Sequence, residues 1–402
     1  MKSIRKKTIA LMGAALCLGL SGCSSSDGPE TPYEPVPLTR AEQDIVDNSD
    51  MLGYTMLQHT YSQERNTVES PLSLSVALGM LANGAGGATL DQLLEVLGAG
   101  SLDELNSCLD KVTRNLRNAD RKVDLKLSNS VWFNEGFNAR PEYKKALETN
   151  FGAELFTERL STEATMKKIN RWCSDRTEGM IKDFLGEPVG AGIDMTLYNA
   201  TYFHGEWKEK FDPKDTADKF FHNAQGGGNT VRMMYKSKGI GVYRADEYSQ
   251  TVEVPYGNGN FSLCLELPAE GMTVPEVIEA RLAGHTPGIG DATVTKLGLP
   301  KFRAEWRLDV GSMLQSMGYD AILDKQGYPL VSDGPISLPP VWQSAVIEID
   351  EEGTKAAAVT GGGCTSPGIR ETVELVFDRP FIYSIKERTT GATLFCGVIN
   401  ML

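Results

Sequence analysis

Histidine is scarce in this sequence: His59, His204, His222 and His285 are the only four in 402 residues. No serine sits in a GxSxG elbow and no HExxH pair is present. Neither a Walker A loop nor a GxGxxG after a strand occurs. The common signatures of serine hydrolases, zinc proteases, nucleotide hydrolases and dinucleotide-dependent enzymes are therefore missing. No two cysteines are spaced CxxC, which argues against a zinc site or a redox pair. Positive charge is short as well: 40 Lys and Arg stand against 53 Asp and Glu, a net charge of −13. Phosphate binding needs local positive charge, so nucleic acid is not expected as a partner. No internal repeat marks a solenoid. No cofactor or metal is expected.

Long apolar runs are absent apart from TIALMGAALCLGL at residues 8–20, which is short for a membrane span. Lys2, Arg5, Lys6 and Lys7 precede it, as in the basic start of an export signal. It ends in Leu20-Ser21-Gly22-Cys23, which resembles a bacterial lipobox. Residues 1–22 are thus expected to be a lipoprotein signal peptide and Cys23 a lipidated N-terminus. An ordinary secretory signal cut nearby is the alternative. Residues 23–39 are polar and proline-rich and read as a tether, and residues 40–402 as the folded domain. Loss of the signal takes the net charge to about −17. The expected location is the cell envelope, lipid-anchored, on the periplasmic or extracellular side.

Of the seven cysteines, Cys17 leaves with the signal. With Cys23 set aside for the lipid, Cys108, Cys173, Cys264, Cys364 and Cys396 remain, an odd and widely spaced set that argues against a disulfide framework. Cys173, Cys264 and Cys396 sit in apolar contexts and read as small core residues. Cys364 follows three glycines, with no basic group beside it to lower its pKa, and reads as an incidental thiol.

The early part of the domain is helical in pattern. Apolar Ile45, Val46, Met51, Leu52, Met56 and Leu57 keep helical spacing. Ser70-Pro71 reads as an N-cap and first-turn proline, opening a helix apolar nearly all round and hence buried. Thr89 and Gln92 read as a capping box for the next helix. SLDELNSCLDKVTRNLRNADRK is amphipathic; Lys111, Arg114, Arg117, Arg121 and Lys122 near its end read as a solvated face diluted by Asp110, Asp120 and Asp124. DLKLSNSVWF and TLYNATYF are strand-like, on either side of a helical stretch around ATMKKINRWCSD. From about residue 230 strands dominate, among them FSLCLELP, SAVIEID, VELVF, PFIYSI and ATLFCGVI, the last two joined by a turn at 387–391. The class is α+β, one large domain with helices first and long, mostly antiparallel strands later.

One stretch is out of character. EEGTKAAAVTGGGCTSPGIRE, from Glu351 to Glu371, places small residues between the apolar runs IEI and VELVF. Its first part, Glu351-Glu352-Gly353-Thr354 and Ala356-Ala357-Ala358-Val359-Thr360, resembles the hinge of the serpin family of protease inhibitors. LVFDRPFIYSI resembles that family's C-terminal signature, and Asn199 to Trp207 its NAxYFxGxW segment. Asn66 and Ser70-Pro71-Leu72-Ser73 fit the start of its buried second helix, with LPKFRAEWRLDV and LQSMGYDAIL as further matches. The likeness runs in order over about residues 40 to 402. Glu69 departs from it, standing where the family usually has an apolar residue. Gln343 stands where the family usually has a histidine, and it keeps both a donor and an acceptor.

The resemblance implies a serpin-like domain with an exposed reactive-centre loop, acting as a suicide substrate of serine endopeptidases, with cysteine proteases as a further class. A protease cuts the loop, an acyl-enzyme forms, and the freed segment enters the main sheet as a strand. The residue pattern suits insertion. Alternate positions Thr354, Ala356, Ala358 and Thr360 are small and uncharged, and the other face carries Lys355, Ala357 and Val359. No proline interrupts the segment before Pro367. By the same resemblance Ser70, Ser73, Asn199 and Gln343 belong to the shutter beneath the sheet, and Trp207 to its upper end, where the loop begins to enter.

The bait bond is less marked. A family-like count of about fourteen residues past Gly353, about 46 Å of strand, reaches Pro367. Thr365-Ser366 or Ile369-Arg370 would suit an elastase-like protease and Arg370-Glu371 a trypsin-like one; subtilisin-like enzymes stay open, and an elastase-like target is favoured. The alternatives are a non-inhibitory serpin serving as a binding module, or a surface nutrient-binding lipoprotein. The expected state is a monomer.

Overall fold

The structure is a computed structural model that describes residues 33–290, 292–338, 342–353 and 372–402. Its helices are α1 (Arg40–Thr60), α2 (Pro71–Ala82), α3 (Gly87–Leu97), α4 (Leu102–Asn118), α5 (Pro141–Phe151), α6 (Glu163–Arg176), α7 (Val274–Leu282) and α8 (Val310–Ser316). Its early strands are β1 (Thr67–Glu69), β2 (Val123–Asn134), β3 (Glu154–Glu158) and β4 (Met195–Gly205). The middle of the chain adds β5 (Ala217–His222), β6 (Gly228–Lys236), β7 (Tyr243–Ala245), β8 (Ser249–Pro255), β9 (Phe261–Pro268) and β10 (Gly288–Ile289). The last six are β11 (Thr293–Pro300), β12 (Phe302–Asp309), β13 (Trp342–Ile349), β14 (Thr372–Val376), β15 (Phe381–Glu387) and β16 (Thr393–Ile399).

The α+β class holds. Pairing is antiparallel except for β2 with β3 and β11 with β14. A seven-stranded sheet runs β1-β16-β15-β9-β8-β7-β10, and a four-stranded one β14-β11-β6-β5. Two smaller units, β3-β2-β4 and β12-β13, share no ladder among the described residues. β1 joins the far end of the chain, with Thr67 opposite Val398 and Glu69 opposite Cys396. Residues Pro35–Leu402 form one compact unit.

Local chemistry explains most boundaries. Ser70 Oγ accepts from the Ser73 amide at 3.2 Å and Pro71 fills the first turn, so α2 starts where the sequence places it. Ten of the first eleven α2 residues, all but Ala77, are buried. α1 begins with a reciprocal capping box between Thr39 and Glu42. Buried Glu42 also accepts from Ser107 and Lys111; burial pushes its pKa up, but these bonds outweigh that and hold it down at about 2. The Thr89–Gln92 capping box does not form. α3 starts two residues before Thr89, with Gly86 as N-cap. Thr89 Oγ1 instead donates to the Ala321 carbonyl at 2.7 Å, and Gln92 Oε1 accepts from the Ala321 amide at 2.9 Å. A tertiary partner has taken both groups. The strand-dominated second half also holds α7 and α8.

Two apolar clusters seat helices on strands. One packs Ile169 and Trp172 of α6, with Phe184 and Leu185, over Trp132 of β2 and Tyr198 of β4. The other seats Leu57 of α1 and Val277 and Ile278 of α7 on Ile382, Cys396 and Val398. Cys108, Cys173, Cys264 and Cys396 are free thiols, with Cys264 partly exposed and the others buried. Burial raises the pKa of Cys108, Cys173 and Cys264 to about 12, so these thiols stay protonated. The α4 basic residues are engaged: Lys111 with Glu42, Arg114 with Asp110, and Arg117 with the Leu127 carbonyl.

Candidate functional site

The place where a strand could be added lies between β4 and β13. β4 pairs with β2 on one side only, with Asn199 opposite Asn129. β13 pairs only with β12, with Gln343 opposite Leu308. Both are edge strands of their units among the described residues. They run in the same direction. Asn199 and Gln343 lie at the lower end, and the residues just beyond each strand, Glu206 and Gly353, bridge at the upper end. A cavity of about 470 Å³ opens at the lower end, lined by Ser73, Tyr198, Asn199, Arg307, Leu338 and Gln343.

The lower end is tied to α2 by side chains that stand out already in the sequence. Gln343 Oε1 accepts from the Ser70 amide, and Gln343 Nε2 donates to the Ser70 carbonyl, both at 2.8 Å. One amide side chain thus serves both polar groups of one peptide residue. Ser73 Oγ donates to Asn199 Oδ1 at 2.5 Å, and Thr201 Oγ1 donates to the same oxygen at 2.8 Å. Asn199 Nδ2 passes the chain on to Asn129 Oδ1 at 2.6 Å, and Asn129 Nδ2 to the Phe151 carbonyl. β4 and β13 are therefore both fastened to the start of α2, by separate residues three apart.

At the upper end the segment after β13 folds back. The Trp207 amide donates to the Glu352 carbonyl at 3.2 Å, and the Phe211 amide to the Glu351 carbonyl at 3.1 Å. Trp207 Nε1 donates to the Asp350 carbonyl at 2.9 Å. The indole is 3% exposed and stacks on Tyr256 with centroids 4.4 Å apart. It is a core aromatic and also a clamp on residues 350–352. Gly353 has φ +115°, and a Cβ there would lie 2.4 Å from the Gly205 carbonyl oxygen. Only glycine fits that turn. Glu351 binds Thr216 Oγ1 at 2.9 Å and Lys301 Nζ at 2.6 Å. Burial pushes the Glu351 pKa up, but these partners outweigh it and hold the carboxyl below its usual range.

Glu351, Glu352, Gly353 and Trp207 are thus brought together above the gap, and Ser70, Ser73, Asn199 and Gln343 below it. Thr354, Ala356, Ala357, Ala358, Val359 and Thr360, the bond candidates Thr365, Ser366, Pro367, Ile369 and Arg370, and Cys23 all lie outside the described residues. Lys301, Thr216, Asn129 and Tyr256 were missed, since their partners at the site, Glu351, Asn199 and Trp207, lie 49 or more residues away in sequence and no local pattern points to them. Among the described residues no histidine is paired as a base would be. Ser316 Oγ is 3.2 Å from His59 Nδ1 but donates to the Met313 carbonyl of its own helix. Among the described residues no cluster of metal-ligating side chains occurs.

A protein-family model described as serpin (serine protease inhibitor) matches residues 47–401. A serine protease inhibitor of Cyanea capillata is 31% identical over 84% of this chain and 92% of its own length. Leukocyte elastase inhibitor A of Mus musculus is 30% identical over 83% of this chain and 92% of its own. Among solved structures, the thermophilic serpin tengpin in its native state superposes with a TM-score of 0.78 at 27% identity, covering 92% of this chain and 98% of that one.

Proposed function

The chain belongs to the serpin family, protease inhibitors rather than enzymes, and from that premise we propose that it inhibits serine endopeptidases as a suicide substrate. The observation that supports this most directly is the pair of facing strand edges, β4 and β13, each with a ladder partner on one side only. The chain leaves β13 at the upper end of that gap, and the residues next in line are Thr354, Ala356, Ala358 and Thr360 on one face. A strand of that composition fits between two others without burying charge. The protease supplies the serine, histidine and oxyanion hole. This chain supplies the bait carbonyl, the hinge and the sheet. An elastase-like target is the first choice, since Thr365-Ser366 and Ile369-Arg370 offer small or aliphatic residues and one relative is named for leukocyte elastase. Subtilisin-, trypsin- and cysteine-type proteases come after it.

Mixing the purified protein with each protease class tests the reading. A band at the summed mass that survives SDS is expected with at least one serine protease, and the released C-terminal peptide locates the cut. Ala358→Glu would place a carboxylate on the inserting face. That variant is expected to be cut while the protease stays active, with complex yield down at least tenfold. About a dozen new ladder bonds at ~1 kcal/mol each should raise the melting midpoint of the cleaved wild type by roughly 20 °C. Cleavage with full protease activity and no gain in heat resistance would leave a serpin fold used as a binding module.

We also propose the anchor: residues 1–22 as signal peptide, Cys23 as lipid carrier and, of the residues 23–39 read as tether, those before Pro35, since Val36 is bonded to Asn115 and Thr39 caps α1; they hold a monomeric domain at the cell envelope. Cys23→Ser is expected to move the protein from the detergent phase to the aqueous phase in a temperature-induced detergent partition. An unchanged partition would remove the anchor from the reading.

A further inference from the structure

Glu69 is 0% exposed, in the short strand β1, one residue before Ser70. Among the described residues its side chain has one hydrogen bond, from Thr60 Oγ1 of α1, at 2.5 Å to Oε1. Oε2 is buried with no hydrogen-bond partner among the described residues. Among the described residues no cation pairs with it. Across the ladder is Cys396, and beyond it Ser384, Cys264 and Glu253 continue one row across β15, β9 and β8. Tyr383 of β15 gives its hydroxyl to the Thr67 carbonyl. Burial, with negative charge nearby as the lesser cause, raises the Tyr383 phenol and the Cys396 thiol well above their usual ranges, so both are neutral. Among the described residues, Lys386 of β15 is paired with Asp50 of α1 and with no other acid. From β12 and β13 the buried residues are Phe302, Ala304, Leu308, Gln343, Ala345, Ile347 and Ile349, while Arg303, Glu305, Arg307 and Glu348 are exposed and Asp309 is half-buried. α1 also brings His59, whose ring is bonded to Ser316.

A carboxylate in such a place loses its hydration and gains one hydrogen bond, so it holds its proton. Burial lifts the Glu69 pKa to about 8 against the one opposing bond from Thr60. The backbone allows no escape. Glu69 is laddered to Cys396, and the next amide and carbonyl, those of Ser70, are held by Gln343 of β13. The carboxylate reaches water only if β1 shifts, and a shift of β1 pulls Ser70 off Gln343. We propose that Glu69 is a proton-held latch of the gap between β4 and β13: neutral, it lets β1 stay seated; ionised, it loosens the Ser70–Gln343 tie and eases separation of the two strands. Alkaline pH is then the opening signal, read by a residue beside the Ser70–Gln343 tie at the lower end of the gap. The inference rests on the inhibitory reading only in calling the opened sheet the productive one.

The sign comes from proton linkage. The native state holds a proton that the unfolded chain releases near pH 4.5, so the native state loses stability as pH climbs from about 5 to about 8 and then levels off. Glu69→Gln keeps the shape and cannot ionise. Thermal midpoints of the full chain from pH 5 to 9 should show the wild type falling relative to Glu69→Gln, with the variant ahead by roughly 5–10 °C at pH 8. Amide hydrogen exchange locates the effect. After correction for base catalysis, amides of 70, 72–75 and 343–349 in the wild type should exchange at least tenfold faster at pH 8.5 than at pH 6, and those of the variant should not. Thr60→Val removes the one bond that favours the anion, so it should move the wild-type transition to higher pH. It serves as the test if Glu69→Gln fails to fold. Superimposable pH profiles, exchange that changes only elsewhere, or a Thr60→Val transition that stays or moves down would each overturn the latch. None of these readouts needs a protease, so a protein that inhibits nothing can still pass or fail them.

Discussion

Gly353→Val is expected to detach the segment after β13 from the upper end of β4. The substitution asks valine to take φ +115° and puts a Cβ 2.4 Å from the Gly205 carbonyl oxygen and 2.6 Å from the Trp207 amide nitrogen. Both are backbone atoms at the end of a strand, so neither can swing aside. The strain costs about 1–3 kcal/mol. Relief by moving residues 350–353 gives up the Trp207 bonds to Glu352 and Asp350, at about 1 kcal/mol each. Whichever way the chain settles, the expected result is a loss of about 2–3 kcal/mol and a fall in the melting midpoint of roughly 3–6 °C. Gly152→Ala separates collision from backbone preference. Gly152 has φ +57° with nothing near its missing Cβ, and that change should cost only about 1 kcal/mol. Equal losses in both variants, by thermal melting, would show that contact with β4 is not what Gly353 provides.

Gln343→Ala should cost about 2–3 kcal/mol and roughly 5 °C. The Ser70 carbonyl keeps its helical bond from the Leu74 amide, but the Ser70 amide is left buried without its acceptor. The neighbouring cavity admits water to the wound and caps the loss. Gln343→His is the informative partner, because a neutral imidazole also offers one donor and one acceptor. It should recover most of the stability at pH 8. Protonation removes the acceptor, so the native pKa of that imidazole sits below the ordinary value of about 6.5. Its stabilisation is present above about pH 6.5 and is lost as pH falls through the lowered native value, whereas Gln343 gives no such loss. A histidine variant whose melting ignores pH between 5 and 8 would mean that residue 343 does not hold Ser70 through its acceptor.

What the sequence disclosed tracks how local the cause is. α2 was legible because Ser70 and Pro71 carry the start signal themselves, and the last two strands because their turn is five residues long. Thr89 and Gln92 carry the same kind of signal and misled, since Ala321, more than 200 residues away, is the stronger partner. α5 and α7 begin with proline at the first turn and still escaped notice beside the strand-rich text around them. At the site, Gly353, Trp207, Ser70, Ser73, Asn199 and Gln343 were found through family likeness, not through chemistry that spacing alone could display. The bond from Gln343 to Ser70 spans 273 positions. Lys301 lies in the family-like segment LPKFRAEWRLDV, yet nothing there points to Glu351. Glu69 was visible as an oddity, yet only the packing of Thr60 and Cys396 around it says what the oddity does.

The ladder between β1 and β16 has a consequence for how the molecule is made. Thr67 leaves the ribosome 331 residues before Val398, yet they face each other in one sheet. At about 5–20 residues per second, β1 waits roughly 15–65 s for its neighbour. Through that interval α2, buried almost all round in the finished protein, has no complete surface to lie against. A chain that crosses a membrane N-terminus first faces the same wait on the far side. Closure of the seven-stranded sheet therefore waits for the arrival of β16, and a chain that stops before Thr393 should be a long, sticky and unfinished polypeptide in place of a slightly smaller protein.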